Sequence, residues 1–518
     1  MVLALANLAA CGSSGGAGTG AASSTPAAWT PGVFAPSSNF AAQCATPRIG
    51  ISPGSGQSFP DVQGSALSEN NYLRSWTNEL YFWYDEVPDI DPAGYSTANY
   101  FGLLKTSALT ASGYPKDKYH FTYPTDVWEQ LSQSGAQLGY GAEWALTAAK
   151  PPRKVMVAFV ESGSAAAAAN IARGAQLLTV DGVDVTNGAA AALNAGMFPL
   201  RAEESHTFTI LDPGAALSRT VALQSAYFTS TPVQQVKTVS TANGTVGYML
   251  FNDHLATAES QLIAAISRLA SAGVSDVVLD IRYNGGGYLD IASELAYMIA
   301  GPAQTTGHAF DRMQFNSKYP TLNPLTRQPL EPTPFHAQSR GFSAPGGLAL
   351  PTLNLSRVYV LTSAGTCSAS EAIINGLRGV GVQVIQIGSR TCGKPYGFYE
   401  QDNCGTTYFS IEFKGVNDSG FGDYLDGFAP QNAVGTLGVP IPGCAAADDF
   451  THALGDPLEG QLAAALAYRT TGMCPAPSGF SQNALNVSAL RSGTPAGDLP
   501  GEEGVLRKPP LRENRWYR

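Results

Sequence analysis

The sequence predicts an α/β protein, on three observations. First, residues 247–299 alternate strand and helix: Gly247 to Phe251 reads as strand, Ala256 to Ala272 has helical periodicity through Leu262, Ile266 and Leu269, Val277 to Ile281 reads as strand, and Tyr288 to Ile299 as helix. Second, residues 357–397 repeat the pattern. The β-branched run Val358 to Thr362 ends in Ser-Ala-Gly-Thr, a helical pattern follows through Ala372, Ile373, Ile374 and Leu377, and Val382 to Ile387 is a second strand. Such alternation lays helices on the faces of a sheet. Third, 44% of the 518 residues are apolar and 14% charged, enough for the cores of two or three domains.

The totals also exclude partners. Net charge is −10, and nucleic-acid binding wants a basic face. No apolar run reaches the roughly 18 residues that span a bilayer. There is no H-x-x-x-H pair, P-loop or S-x-x-K motif, so neither a metal nor another cofactor is indicated.

Taken in order, residues 1–11 are a short apolar stretch ending Leu8-Ala9-Ala10-Cys11, before Gly12-Ser13-Ser14-Gly15-Gly16. This resembles a bacterial lipoprotein signal with Cys11 lipidated, although no Lys or Arg precedes Arg48. It implies the periplasmic side of the cell envelope and a lipid anchor in the membrane. Gly12 in place of Asp favours the outer membrane. Residues 12–67 begin as a Gly/Ser/Ala/Thr/Pro tether and stay loop-rich; the G-x-S-x-G match within them has neither strand before it nor helix after it.

Residues 68–132 read as an N-terminal helical region. Leu73, Trp76, Leu80, Trp83 and Tyr84 recur at helical spacing as core, Ala98 to Leu109 suggests a second helix, and His120 is expected to be structural. Residues 133–226 form a second unit, with strands at Lys154 to Val160 and Phe208 to Leu211 around Arg173 to Val185. This resembles a PDZ domain of the bacterial protease type. The resemblance implies that Leu138, Gly139, Tyr140 and Gly141 present N–H groups to a peptide's terminal carboxylate while the peptide adds as a strand. Ala226 to Thr241 reads as a link. The core is expected at 235–474, with 301–350 a long Pro- and Gly-rich connection, Thr406 to Phe413 a strand and Leu458 to Tyr468 a helix. Residues 475–518 lack pattern and are expected to be disordered or loosely docked.

The chemistry concentrates at two strand ends. Ser368 stands where a strand hands over to a helix, whose first N–H groups are unpaired and carry partial positive charge. Lys394 follows the next strand and a glycine. A serine and a neutral lysine make a nucleophile and its base. The lysine pKa must then fall from about 10.4 to roughly 7–8, about 4 kcal/mol against the ammonium, which a desolvated pocket supplies.

The segments Gly365-Thr366-Cys367-Ser368-Ala369-Ser370-Glu371, Thr391-Cys392-Gly393-Lys394 and Asp280-Ile281-Arg282-Tyr283-Asn284-Gly285-Gly286-Gly287, in that arrangement, resemble the C-terminal-processing (tail-specific) serine peptidases, over about Ser68 to Pro475. The resemblance implies a ClpP/crotonase-like core and a Ser-Lys dyad. It implies polypeptide substrates with accessible C-termini. Ser368 would attack and Lys394 would serve as base. The N–H groups of Ala369 and Gly286 would hold the oxyanion, and Glu371 and Thr391 would support the dyad.

Two positions depart from the family pattern: Phe398 stands where a glutamine is usual, with Gln401 nearby, and Gly379 where an aspartate is usual. Two other readings therefore stay open. One is a non-catalytic PDZ-type peptide-binding protein. The other is a hydrolase in which Ser368 works with a histidine, His254 being the best placed, or in which Cys367 attacks. Apart from Cys11 the cysteines are Cys44, Cys367, Cys392, Cys404, Cys444 and Cys474, an even set suited to an oxidising compartment. The expected pairs are Cys392–Cys404 and Cys444–Cys474, with Cys367 a buried thiol.

Overall fold

In the computed structural model the described residues are 29–52, 56–433, 435, 437–475 and 506. Cys11 and the G-x-S-x-G match lie outside them. No helix among them is long and apolar enough to cross a membrane.

Three helices lie before residue 135: α1 (Ala66–Leu80), α2 (Thr97–Leu103) and α3 (Thr125–Ser134). The Ser65 hydroxyl caps α1 by accepting from Ser68 N at 3.2 Å. Leu73, Trp76 and Leu80 face inward and pack with Tyr100, Phe101 and Tyr408. The second helix stops well short of Leu109. His120 is buried against Phe101, with ring centroids 3.8 Å apart and Nε2 at 2.8 Å from the Phe101 carbonyl. Burial pushes its pKa down to about 4.

The next unit has its own core. Strand β1 (Ala136–Gly139) pairs antiparallel with β7 (Ala226–Thr229). Between them, β2 (Ala142–Ala148), β3 (Lys154–Val160), β4 (Gln176–Val180), β5 (Ser205–Leu211) and β6 (Arg219–Gln224) form a sheet in the order β6-β5-β4-β3-β2. Helix α4 (Ala190–Met197) buries Leu193 and Met197 in that core.

The large sheet has the order β8-β9-β10-β11-β12-β13, comprising Val233–Thr241, Gly244–Phe251, Asp276–Asp280, Arg357–Thr362, Gln383–Gly388 and Gly443–Ala445. The β8–β9 pair is antiparallel and every other pairing is parallel. Alternate residues face opposite sides. Val277, Leu279, Val358 and Val360 pack under α5 (Ala258–Ser271), α6 (Leu289–Ala300) and α7 (Ala369–Gly379). Val278, Tyr359, Leu361 and Ile385 pack with α8 (Gly460–Thr471) on the other side. Because β10, β11 and β12 run parallel, the loops that follow them all open at one end of the sheet, where α/β folds place their ligands.

Several expectations need correction. Residues 226–241 are not a link but β7 and the edge strand β8, which pairs along β9 as a hairpin arm. The 301–350 connection contains a strand, Ala309–Phe315, whose buried positions run Ala309, Phe310 and polar Asp311 in succession and so show no period-2 signal. The stretch 406–413 is broken into Thr406–Phe409 and a second strand from Phe413 to Val416 that joins a different sheet. The expectation for 475–518 falls almost wholly outside the described residues, of which Leu506 is fully buried.

The disulfides are Cys44–Cys404, Cys367–Cys392 and Cys444–Cys474. The last was expected. The pair Cys392–Cys404 is not formed, and Cys367 is no free thiol. Cys404 sits at a hairpin turn with φ 54°, facing the N-terminal segment, where Ala42 N donates to Asn403 Oδ1 at 2.9 Å. Cys392 instead emerges from β12 beside the loop that follows the neighbouring β11, bringing its Cα within 5.2 Å of that of Cys367. Replacing Cys44 and Cys404 together with serine should lower stability by about 2–4 kcal/mol, read as an earlier denaturant midpoint. An unchanged midpoint would show that packing alone holds the N-terminal segment.

Candidate active site

The loops after β10 and β11 are stitched together before any catalytic group is considered. The Asn284 carbonyl accepts from Cys367 N and from Ser370 Oγ, both at 3.1 Å. Thr366 Oγ1 donates to the Ile281 carbonyl at 2.8 Å. The chain then turns sharply at Ser368, with φ 60° and ψ −116°, a region costing about 1–3 kcal/mol for a residue with a side chain. Helix α7 starts at the next residue, so Ser368 meets the positive end of a helix.

The glycine turn lies against this serine. A Cβ on Gly286 would come within 2.8 Å of Ser368 Cβ and 3.0 Å of Ala369 N, and its φ is +108°. Only glycine permits that approach. The Gly286 N–H, expected to serve an oxyanion, donates here to Asn284 Oδ1 at 2.9 Å. That oxygen also lies 2.9 Å from His254 Nδ1. The His254 backbone is tied in as well: its N donates to the Gly286 carbonyl at 3.1 Å, and its carbonyl accepts from Tyr288 N at 2.9 Å. His254 therefore braces the glycine turn.

Lys394 reaches the site from the loop after β12. Gly393 makes the turn at φ +83°, where a Cβ would strike the Leu425 carbonyl at 2.1 Å. The Lys394 side chain is fully buried. Its Nζ lies 4.2 Å from the Phe398 ring centroid and 4.6 Å from that of Tyr119. The residue in place of the usual glutamine thus lays an aromatic face beside the amine, packed in turn against Phe121 and Phe409.

Glu371 joins the two halves. One carboxylate oxygen accepts from Ser368 N at 3.0 Å and Lys394 N at 2.8 Å; the other accepts from Gly393 N at 2.9 Å and Thr391 Oγ1 at 2.5 Å. Full burial pushes its pKa up, while these four donors pull it down. The Cys367–Cys392 bridge makes the same connection covalently, one residue before Ser368 and two before Lys394. Cys367, Glu371 and Cys392 are the one group among the described residues whose donor atoms cluster closely enough for a metal ion. With both sulfurs in the bridge, only the carboxylate remains as a ligand.

Ser368, Ala369, Glu371, Thr391 and Lys394 are all shielded from solvent. The roof comes from outside the large sheet: Tyr81, Trp83 and Tyr119 form one apolar cluster with Cys367, Tyr396 and Ile411. Tyr119 was missed in the sequence, although it directly precedes His120, which was read as structural.

Behind the glycine turn, Arg282 is fully buried and bonded to Asp280, Glu459 and Asp448. Arg173 of the smaller unit reaches the same Asp448 at 2.6 Å. Burial pushes the Asp448 carboxyl up, but the two guanidinium groups outweigh it and hold the pKa low.

Leu138, Gly139, Tyr140 and Gly141 lie elsewhere. Leu138 and Gly139 pair with Tyr227 and Ala226. Tyr140 is buried, its hydroxyl donating to the Gly196 carbonyl at 2.9 Å. Gly141, at φ +76°, backs onto Ser164 and opens a crevice with Glu143, Glu161, Asn252 and Asp253. Burial pushes Glu161 up to about 7 and Asp253 up to about 8.

Residues 245–398, which carry Ser368, Lys394 and the glycine turn, match the family model described as peptidase family S41. The chain carries a peptidase family S41 domain. This agrees with the resemblance seen in the three motifs. A carboxyl-terminal-processing protease of Picosynechococcus sp. is 27% identical over 236 residues, covering 45% of this chain and 49% of that protein. The alignment thus spans about half the length of that curated relative. Among solved structures, a Bacteroides fragilis protein described as an S41 protease aligns over 80% of this chain and 98% of its own, with TM-score 0.53 and 19% identity, which shows a shared α/β fold. A photosystem II D1 C-terminal processing protease aligns over 71% of this chain and 92% of its own, with TM-score 0.41 and 18% identity.

The S41 domain depends on the Glu371 carboxylate for its local geometry. In Glu371→Gln an amide N–H would face backbone donors, leaving at least one unpaired in the interior. Stability should fall by about 1–3 kcal/mol, measured by equilibrium denaturation. A neutral result would mean that the bridge alone fixes the two loops.

Proposed function

We propose that this protein is a serine endopeptidase of the cell envelope that uses Ser368 as nucleophile and Lys394 as general base. The observation that carries the reading is the Glu371 carboxylate, which binds the backbone of both residues at once at the start of a helix. In the proposed reaction neutral Lys394 takes the Ser368 hydroxyl proton as Oγ attacks the scissile carbonyl, then returns it to the leaving amine. The Ala369 N–H at the first turn of α7 stabilises the oxyanion. The second donor comes from the glycine turn, either Gly287 N or Gly286 N once it leaves Asn284. Losing one such donor costs about 10²–10³ in rate.

The core is read as ClpP/crotonase-like, and the 133–226 unit as a PDZ-like domain that takes substrate C-terminal tails along β2. Substrate reaches Ser368 when the roof of Tyr81, Trp83 and Tyr119 opens, so the closed arrangement is a resting form. The motif at Cys11 supports a lipid anchor, and the disulfides fit an oxidising envelope compartment.

A specific contact favours a second reading. An aromatic face beside an amine favours the ammonium form, so Phe398 at 4.2 Å from Lys394 Nζ is the feature expected of an inert tail-binding protein.

Hydrolysis of an unfolded protein with an apolar C-terminal tail separates the readings. Ser368→Ala and Lys394→Ala should each abolish cleavage with the fold intact. Cleavage that survives Lys394→Ala would overturn the dyad, and tail binding without cleavage by the parent chain would favour the inert protein. Replacing Cys367 and Cys392 together with alanine should lower kcat about tenfold with little change in KM, because the bridge positions the dyad rather than the substrate. An equal kcat would assign that positioning to Glu371 alone.

A further inference from the structure

Leu506 stands 32 positions beyond Cys474, yet its side chain is fully buried within the core of the smaller unit, in one cluster with Trp144, Leu146, Leu193 and Met197. Its backbone N donates to the Ala149 carbonyl at 3.1 Å. Ala149 directly follows β2, and β2 is the last strand of its sheet, paired on one side with β3. At the opposite end of β2, Tyr140 anchors to the last turn of α4 through the Gly196 carbonyl. An edge strand flanked by a helix is thus met by a segment distant in sequence, through one main-chain hydrogen bond and one inserted apolar side chain. These are the two contacts by which an extended peptide adds to a sheet edge.

We propose that the segment around Leu506 is an intramolecular ligand of the β2 edge, and that a substrate tail must displace it to bind. The proposal rests on the reading of this unit as a tail-binding domain. The intervening stretch is rich in Ser, Gly, Pro and Ala, and its 31 residues are a covalent tether long enough to span roughly 30 Å. Tethering at that range supplies an effective concentration on the order of 1 mM. A segment with an intrinsic Kd on the order of 100 μM would then fill the site most of the time and weaken an incoming peptide about tenfold. The sequence around Leu506 suits a weak, replaceable occupant: Val505 and Leu506 are the apolar pair, between Glu502-Glu503 and Arg507-Lys508.

The test uses the full chain and a fluorescein-labelled peptide ending in Leu-Ala-Ala, read by anisotropy. All three chains, the parent, Leu506→Asp and Leu506→Ala, carry Ser368→Ala so that the probe is not cut. Leu506→Asp should bind the probe about tenfold more tightly than the parent, and a synthetic peptide of residues 499–512 should reverse that gain. Leu506→Ala, which leaves the core less disturbed, should move in the same direction by a smaller factor. Equal probe affinity in all three chains would overturn the proposal and leave tail binding standing. If no chain binds the probe while labelled 499–512 binds Leu506→Asp, the segment docks but the tail-binding reading fails, and displacement by substrate fails with it. If neither peptide binds any chain, both are overturned.

Discussion

A single buried carboxylate sets the local geometry. Glu371 accepts four hydrogen bonds, one from Ser368 at the start of α7 and three from Thr391, Gly393 and Lys394 in the loop after β12. A carboxylate in an apolar interior is costly unless its oxygens are saturated by donors, so these bonds and the burial require one another. Two loops that no sheet pairing connects are thereby fixed to each other within hydrogen-bond tolerance. Ser368 can hold a backbone conformation that would otherwise relax, because the loop on either side of it is bonded: to Asn284 before and Glu371 after.

The glycine turn is held by a second buried polar set. Asn284 joins His254, Gly286 and the Phe251 carbonyl. Arg282, two residues earlier, is neutralised by Asp280 and Glu459 in a fully shielded position. Removing one partner from such a group leaves an uncompensated charge, which is why buried ionic sets are rigid in ways that surface pairs are not. Through Asp448 the same set reaches Arg173, so the base of the S41 domain and the smaller unit share one charge cluster. Arg173 also donates to the Tyr283 hydroxyl at 2.6 Å, one residue from Arg282 and next to the turn that lies against Ser368.

Much of this was legible in the residues. Apolar runs and period-3.6 patterns indicated β9 to β12 and the helices α5 to α8 to within a few positions, because strands buried on both faces are nearly uninterrupted apolar runs. The placement of Ser368 and Lys394 in the loops after β11 and β12 was legible for the same reason, whereas Glu371 and Thr391 were singled out by the resemblance of their motifs. What was not legible depends on contacts across long stretches of chain. Cys392 lies near Cys404 in sequence but beside Cys367 in space, since parallel neighbours β11 and β12 align their following loops. The edge strand β8 was read as a link because its residues are half-exposed and polar. The roles of Tyr119 and His254 follow from neighbours that meet only in the folded chain. Leu506 carries no periodic signal at all; one leucine in a polar stretch does not announce its own burial.

The Cys44–Cys404 bridge closes a covalent ring of most of the described chain, with partners 360 positions apart. Such a ring changes what a cut means. A nick in any surface connection between those two residues, the long stretch 316–356 included, opens the ring without separating the pieces. Both halves remain joined, and the strands on either side stay paired in one sheet. For a protein read as living among proteases, and as one itself, that is tolerance of damage: its fragments would travel together until a reductant released them.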